Sequence, residues 1–367
     1  MDREKKMDKI DKLRQQMKEK AVDLIALAPG ANLNWLLGVN PHADERPLIF
    51  LLTQTGLGFL MPELEAESAR QQTDIRFYTW SDATGPTSAL DNLLTDLKGF
   101  SSRSIVIDET MRADHAALIQ DKVLNANRAF TASTIGKLRM IKDKSEQNIL
   151  RENANQADTA MQNALSEIQS GMTEDAVASV IQSSFSEQGA LPQFSIVASG
   201  PNSAFPHHQT GSRILNDGDV VVIDLGGKFK GYASDITRMA ILGSPLGDYK
   251  MIHQIVEDAV CAALEAAKPG EVAKNVDKAA RDVITKAGFG QYFIHRTGHG
   301  LGSEIHEPPY ITATSDTILE PGMVFSIEPG IYIPGKFGIR LEEIVILNDK
   351  GPEVLSKLSR KENILND

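Results

Sequence analysis

Four carboxylates and a histidine in the second half of the chain have types and spacings suited to holding metal ions. Asp217-Gly218 introduces a strand-forming run, Val220-Val221-Val222-Ile223-Asp224-Leu225. Gly226-Gly227 and Gly231 bracket a turn, and Tyr232-Ala233-Ser234-Asp235-Ile236-Thr237 continues as a second strand. Folding about residues 229 and 230 sets Asp224 directly opposite Asp235, on one face, with Cβ atoms about 5 Å apart. A second hairpin repeats the design. Residues 323–328 (MVFSIE) form a strand, Pro334-Gly335-Lys336-Phe337-Gly338 a turn and residues 339–347 the return strand. Symmetric pairing about Gly335 places Glu328 opposite Glu342.

Like charges this close are unfavourable unless one is protonated or a cation sits between them. Val222, Ile223 and Leu225 argue against full solvation of the first pair. His299, in His295-Arg296-Thr297-Gly298-His299-Gly300-Leu301-Gly302, is flanked by glycines that permit close approach of backbone to a ligand. Two divalent cations and a neutral imidazole balance four carboxylates, and such cations acidify water into a nucleophile near neutral pH. Oxygen donors with one nitrogen suit Mn²⁺, Co²⁺ or Zn²⁺ alike.

Plainer roles compete at several positions. Asp235 and Glu342 taken singly read as sheet-edge charges, and only their coincidence with Asp224, Glu328 and His299 argues otherwise. His207, after Pro206, is favoured for a functional role, with His208 as a rival. His295 suits a hydrogen-bonding role behind the His299 loop. His42, His115 and His253 default to surface or packing, as does Tyr232. Trp35 and Trp80 are expected to fill the N-terminal core or its interface.

The elements that must carry these residues begin with an amphipathic helix, where Met7, Ile10, Leu13 and Met17 recur at helical spacing. Residues 22–27 read as a strand, 47–62 as two strands around a Thr-Gly turn and 104–107 as another strand. This alternation predicts a smaller α/β domain over residues 1–137. Residues 138–367 form the second domain, α+β, with helical patterning restarting at Ala157, Ala160, Met161 and Ala164. Thr173 is placed to cap a helix, short β-rich runs follow from residue 191, and further helical stretches cover about 247–268 and 271–288.

The 367 residues carry 38 Lys+Arg against 49 Asp+Glu, a net charge of −11 that argues against a nucleic-acid partner. The single Cys261 excludes an internal disulfide. No apolar run approaches about 18 residues, and the first twenty residues lack a signal-peptide core. A cytoplasmic protein without membrane partners is expected.

The set Asp224, Asp235, His299, Glu328 and Glu342 resembles the five-ligand dinuclear site of the pita-bread metallopeptidases, which include methionine aminopeptidase, aminopeptidase P and prolidase. The motifs that carry the resemblance are DLGGKFKGYASDITR, HRTGHGLGSEIHE, SIEPGIY and GIRLEE, within residues 138–367. The resemblance implies a pita-bread catalytic domain preceded by a creatinase-like, non-catalytic N-terminal domain, which points to the proline-directed branch. It implies that Asp224 chelates one metal and His299 the other, that Asp235 and Glu342 bridge, and that Glu328 binds metal and relays a proton. His306 would support the tetrahedral intermediate, His207 would line the proline-side pocket, and Arg340 would contact ligand or substrate. A homodimer is expected on the same ground.

The implied reaction is hydrolysis of the Xaa-Pro bond at the N-terminus of short proline-containing peptides. That bond is a tertiary amide without an N–H, so ring shape must be recognised. Xaa-Pro dipeptidase is favoured over an Xaa-Pro aminopeptidase acting on longer peptides. One feature departs from the pattern. Some prolidases hold the dipeptide carboxylate with an arginine where this chain has Tyr310, so Arg340 or a residue from a partner subunit would have to substitute. A non-peptide amidohydrolase of the ectoine-hydrolase type is the alternative on the same scaffold. Creatinase-like members have lost ligands that this chain keeps, and a silent peptide-binding module would leave the acidic cavity unbalanced.

Overall fold

A computed structural model describes residues 3–244 and 247–365. The chain divides between Arg139 and Met140 into two compact units.

In the first unit one mixed sheet is built from β1 (Leu24–Leu27), β2 (Ile49–Leu52), β3 (Leu57–Pro62), β4 (Phe77–Trp80), β5 (Ser104–Ile107) and β6 (Asn127–Phe130). Its order is β4-β3-β2-β1-β5-β6, with the β1/β2 and β2/β3 pairs antiparallel and the others parallel. The central strands β1 and β2 are apolar and buried throughout because helices cover both faces. Ile25 and Leu27 pack in one layer with Ile10, Leu13 and Met17 of the helix Arg3–Glu19, whereas Leu24 and Ala26 join a second layer with Leu90 and Leu93. Met7, expected on the packed face of that first helix, is 44% exposed and lies off it. Trp80 is buried with its indole N–H donating to the Pro47 carbonyl at 3.1 Å, and Trp35 is half-buried beneath the Lys9 ammonium.

The second unit is α+β. Its first sheet contains β7 (Leu191–Ser199), β8 (Val220–Phe229), β9 (Tyr232–Ala233) and β10 (Ile236–Leu242). The second contains β11 (Gly298–Gly300), β12 (Glu307–Ile311), β13 (Val324–Ile327), β16 (Glu343–Asn348) and β17 (Gly351–Val354), with β14 (Gly330–Ile333) and β15 (Phe337–Arg340) forming a separate ribbon. A last strand, β18 (Asn363–Leu365), runs parallel to β10 at the edge of the first sheet. Asp143 caps the helix Lys144–Glu167 in a capping box with Glu146, and Thr173 caps the helix Glu174–Glu187.

Side-chain parity along β8 aims the first aspartate. Val221, Ile223 and Leu225 pack against those two helices, whereas Val220 and Val222 join the larger core formed with the helices Tyr249–Ala266 and Ala273–Lys286. Asp224 continues the Val220–Val222 series, so it faces the larger core. On β10, Met239 and Ile241 face that core too, and the same parity extends back through Thr237 towards Asp235.

The register of this hairpin differs from the sequence expectation. Asp224 lies opposite Thr237, and Phe229 opposite Tyr232. The turn is Lys230-Gly231, both with positive φ (50° and 83°), the two-residue geometry that matches strand twist. The centre of symmetry therefore falls between residues 230 and 231. Asp235 becomes a diagonal rather than a direct neighbour of Asp224, still on the same face, and lies in the break between β9 and β10. In the second hairpin, Ile327 pairs with Glu343 and Gly330 with Arg340. Glu328 and Glu342 occupy the irregular backbone between those pairs, at facing positions.

Candidate metal centre

Asp224, Asp235, His299, Glu328 and Glu342 all line one cavity of about 770 Å³, together with His207, His295, Arg296, His306 and Arg340. Ligand atoms of Asp235, His299 and Glu342 lie within 4.8 Å of one another. His299 Nε2 is 3.2 Å from Glu328 Oε1 and 3.7 Å from Asp235 Oδ2. Four of the five residues are buried, and the Glu328 side chain is 15% exposed.

The local chain explains this convergence. β11 runs beside β13, and a Cβ on Gly298 would collide with the Ser326 carbonyl, so glycine lets the His299 segment seat there. The His299 amide donates to Ser326 Oγ at 2.9 Å, and that hydroxyl donates on to Glu328 Oε1 at 3.0 Å. His299 Nδ1 lies 3.1 Å from the Gly300 carbonyl, which can only accept. With Nδ1 holding a proton against that carbonyl, Nε2, the nitrogen facing the carboxylates, donates to Glu328 when the ring is protonated and offers its lone pair when the ring is neutral.

Charge crowding is severe. Burial pushes the Asp235 carboxyl well above its usual range, and the charges of Glu342 and Asp224 add to this. Burial does the same for Glu342, helped by Glu328 and Asp224. Asp224 is raised by burial even though Arg340 opposes the shift. Burial would also raise Glu328, but the hydrogen bond and charge of His299 outweigh it and hold that carboxyl down at about 2. Asp224 Oδ1 and Glu342 Oε1 are buried without a hydrogen-bond partner. A site with orphaned carboxylate oxygens, mutual repulsion and an imidazole nitrogen aimed inward suits divalent cations.

Around this set stand residues with their own assignments. Arg340 donates to Asp224 Oδ2 at 2.6 Å, to Thr237 Oγ1 at 3.1 Å and to the Tyr332 hydroxyl at 2.8 Å. His306 packs edge-on against His299, with ring centres 4.2 Å apart. Burial, with help from His299 and Arg296, lowers the His306 imidazole to about 4, so it is neutral at pH 7. His207 lines the cavity, whereas His208 turns away and pairs with buried Glu174 at 2.8 Å, which separates the two rivals. His295 also reaches the cavity wall. Its Nε2 meets the Tyr332 hydroxyl at 2.9 Å, and burial lowers it to about 4. His253 is buried outside the lining of the cavity, and in the first unit His115 is buried and His42 exposed.

Sequence reasoning passed over Thr237, whose hydroxyl donates to Glu342 Oε2 at 2.9 Å and accepts from Arg340. Its signal was its place in SDITR, a polar residue two positions after Asp235 and so on the same face of an apolar strand. Phe194, Ile196 and Ile305 also went unnoticed, and they supply apolar wall beside Pro206.

Residues 148–349 match the model of metallopeptidase family M24, and residues 9–141 match the creatinase/prolidase N-terminal domain. The chain belongs to metallopeptidase family M24. A probable dipeptidase PepE of Mycobacterium tuberculosis is 36% identical over 334 residues, covering 89% of this chain and 88% of that protein. An Xaa-Pro dipeptidase of Pyrococcus furiosus is 34% identical over 356 residues, covering 96% and 99%. The crystal structure of dipeptidase PepE from Mycobacterium ulcerans superposes with a TM-score of 0.95 at 31% identity over the full length of both chains. The α+β unit is thus the M24 catalytic domain of pita-bread type, behind a creatinase-type N-terminal domain, and M24 membership implies divalent metal. No helix among the described residues is long and apolar enough to cross a membrane.

Proposed function

We propose that this chain is a two-metal Xaa-Pro dipeptidase. The observation that carries the reading is the convergence of Asp224, Asp235, His299, Glu328 and Glu342 on one cavity with apolar wall beside it. The naming of Xaa-Pro dipeptidases among full-length M24 relatives supports it.

Asp224 and Asp235 would hold one cation, His299 and Glu328 the other, with Asp235 and Glu342 shared and Mn²⁺ the expected species. Bound there, the cations supply Lewis acidity that eases deprotonation of water and polarises the scissile carbonyl. Glu328, ionised and at the less buried edge of the set, takes the proton from the attacking water and returns it to the proline nitrogen as that bond breaks. His306, neutral, presents an N–H to the oxygen that gains negative charge. Pro206, Phe194 and Ile196 offer an apolar surface to the proline ring, and His207 borders it. Arg340 orients Asp224 and opposes the upward shift that burial imposes on its carboxyl. The protein is read as cytoplasmic and homodimeric, with domains 1–137 and 138–367.

Metal-loaded enzyme should cleave Ala-Pro, with Ala-Pro-Ala a poor substrate. Equal turnover of both would favour an aminopeptidase, and turnover of neither would favour an amidohydrolase.

A further inference from the structure

One arginine in the cavity wall lacks a carboxylate. Every other arginine of the catalytic unit holds an acidic side chain, Arg340 on Asp224 among them. Arg296 lines the same cavity, is half-buried, and its guanidinium has no ion pair or hydrogen bond among the described residues. Its Cζ instead lies 4.8 Å from the centre of the Tyr310 ring. Contact with an aromatic face steadies the cation but uses none of its five N–H donors. A partly desolvated guanidinium with unspent donors is costly unless an anion arrives to meet it.

We propose that Arg296, steadied by Tyr310, anchors the free carboxylate of the substrate and so restricts the enzyme to dipeptides. This rests on the Xaa-Pro dipeptidase reading above. Arg340 is already committed, its charge to Asp224 and its other donors to Thr237, Tyr332 and the Pro206 carbonyl, so it has no pair of parallel N–H groups left for a carboxylate. A dipeptide carries its carboxylate one residue beyond the scissile bond, roughly 3.5 Å of chain per residue, and a planar guanidinium receives it through two parallel N–H···O bonds. A longer peptide puts a neutral amide at that point and leaves Arg296 unpaired. The residue that selects for chain length is thus three positions before the metal-site histidine, rather than at position 310.

The test is kcat/KM of the Mn²⁺-loaded enzyme for Ala-Pro and for its C-terminal amide, in wild type, Arg296→Ala and Arg296→Lys. Loss of one charge-assisted bidentate contact should lower the value for the acid about 10- to 100-fold, mostly through KM, and change the amide far less. The amide rate serves as the control for folding and metal content. Arg296→Lys should recover part of the loss, and calorimetry should show that proline binds wild type more tightly than prolinamide does, a difference absent in Arg296→Ala. An unchanged acid-to-amide ratio in Arg296→Ala, with amide turnover intact, overturns the anchor and leaves the dipeptidase reading standing. Absence of turnover on both substrates by wild type overturns that reading and the anchor with it.

Discussion

Glu328 and His207 share one cavity but stand in different electrostatic settings. His299 holds the glutamate ionised, whereas His207 sits exposed at the wall. Replacing Glu328 with alanine removes both a ligand and the proton carrier, and kcat should fall by at least about 10³-fold. His207→Ala should cost less, about 10-fold, and mainly in KM. Steady-state kinetics on Ala-Pro checks the order, and a Glu328 variant near wild-type activity would refute its role. Thr237 tests the surrounding support. Valine there keeps the shape but strips Glu342 of its donor and Arg340 of an acceptor, so metal affinity should weaken about 10- to 100-fold, read by chelator competition. The carboxylate pairs were legible as residues because acids in apolar hairpins are conspicuous. Arg296 was not, because its meaning depends on which arginines already have partners, and that is a property of packing.

At the scale of elements, each hairpin break sets a ligand. Gly298 is the tightest glycine beside the site, since any side chain there meets the backbone of β13. Gly298→Ala should displace His299 and lower bound metal per chain, measured by elemental analysis, while far-UV circular dichroism stays native. Arg151 ties the helix Lys144–Glu167 to Glu353 on β17 through two hydrogen bonds, and these hold the Glu353 carboxyl at about 2. A lowered carboxyl stabilises the fold above its ordinary value near 4.5 and loses that contribution as pH falls towards 2. Arg151→Ala should therefore destabilise the protein at pH 7, by under about 1 kcal/mol for a partly exposed pair, and the difference should shrink towards pH 2 in urea unfolding. The helices Tyr249–Ala266 and Ala273–Lys286 and the strands β1, β2, β3 and β5 followed from periodicity, whereas the short polar strand β6 carries no such pattern. The register of the first hairpin did not follow either, because Gly226-Gly227 imitates a turn signal, whereas Lys230 supplies the positive φ that a lysine rarely adopts.

At the scale of the molecule, the catalytic unit holds four carboxylates together without a counter-charge equal to them. Cations that bind the folded state alone stabilise it by mass action, by about 2.7 kcal/mol at a hundredfold excess over Kd. The change from α/β alternation to hairpins and long helices sets the expected boundary at 137/138, and the compact units divide between Arg139 and Met140, while the family resemblance lay in motifs spread over more than a hundred residues. Their convergence in space was inferable only through the resemblance, because hairpin pairing fixes neighbours within a ribbon and not between ribbons. The central claim is that these five residues form a two-metal peptidase site, and the most direct measurement is a Mn²⁺ titration of metal-stripped enzyme with Ala-Pro hydrolysis and bound metal followed together. Activity should rise from the stripped baseline to a plateau as occupancy reaches two ions per chain. A protein that binds no metal at saturation, or binds two ions and leaves Ala-Pro intact, would contradict it.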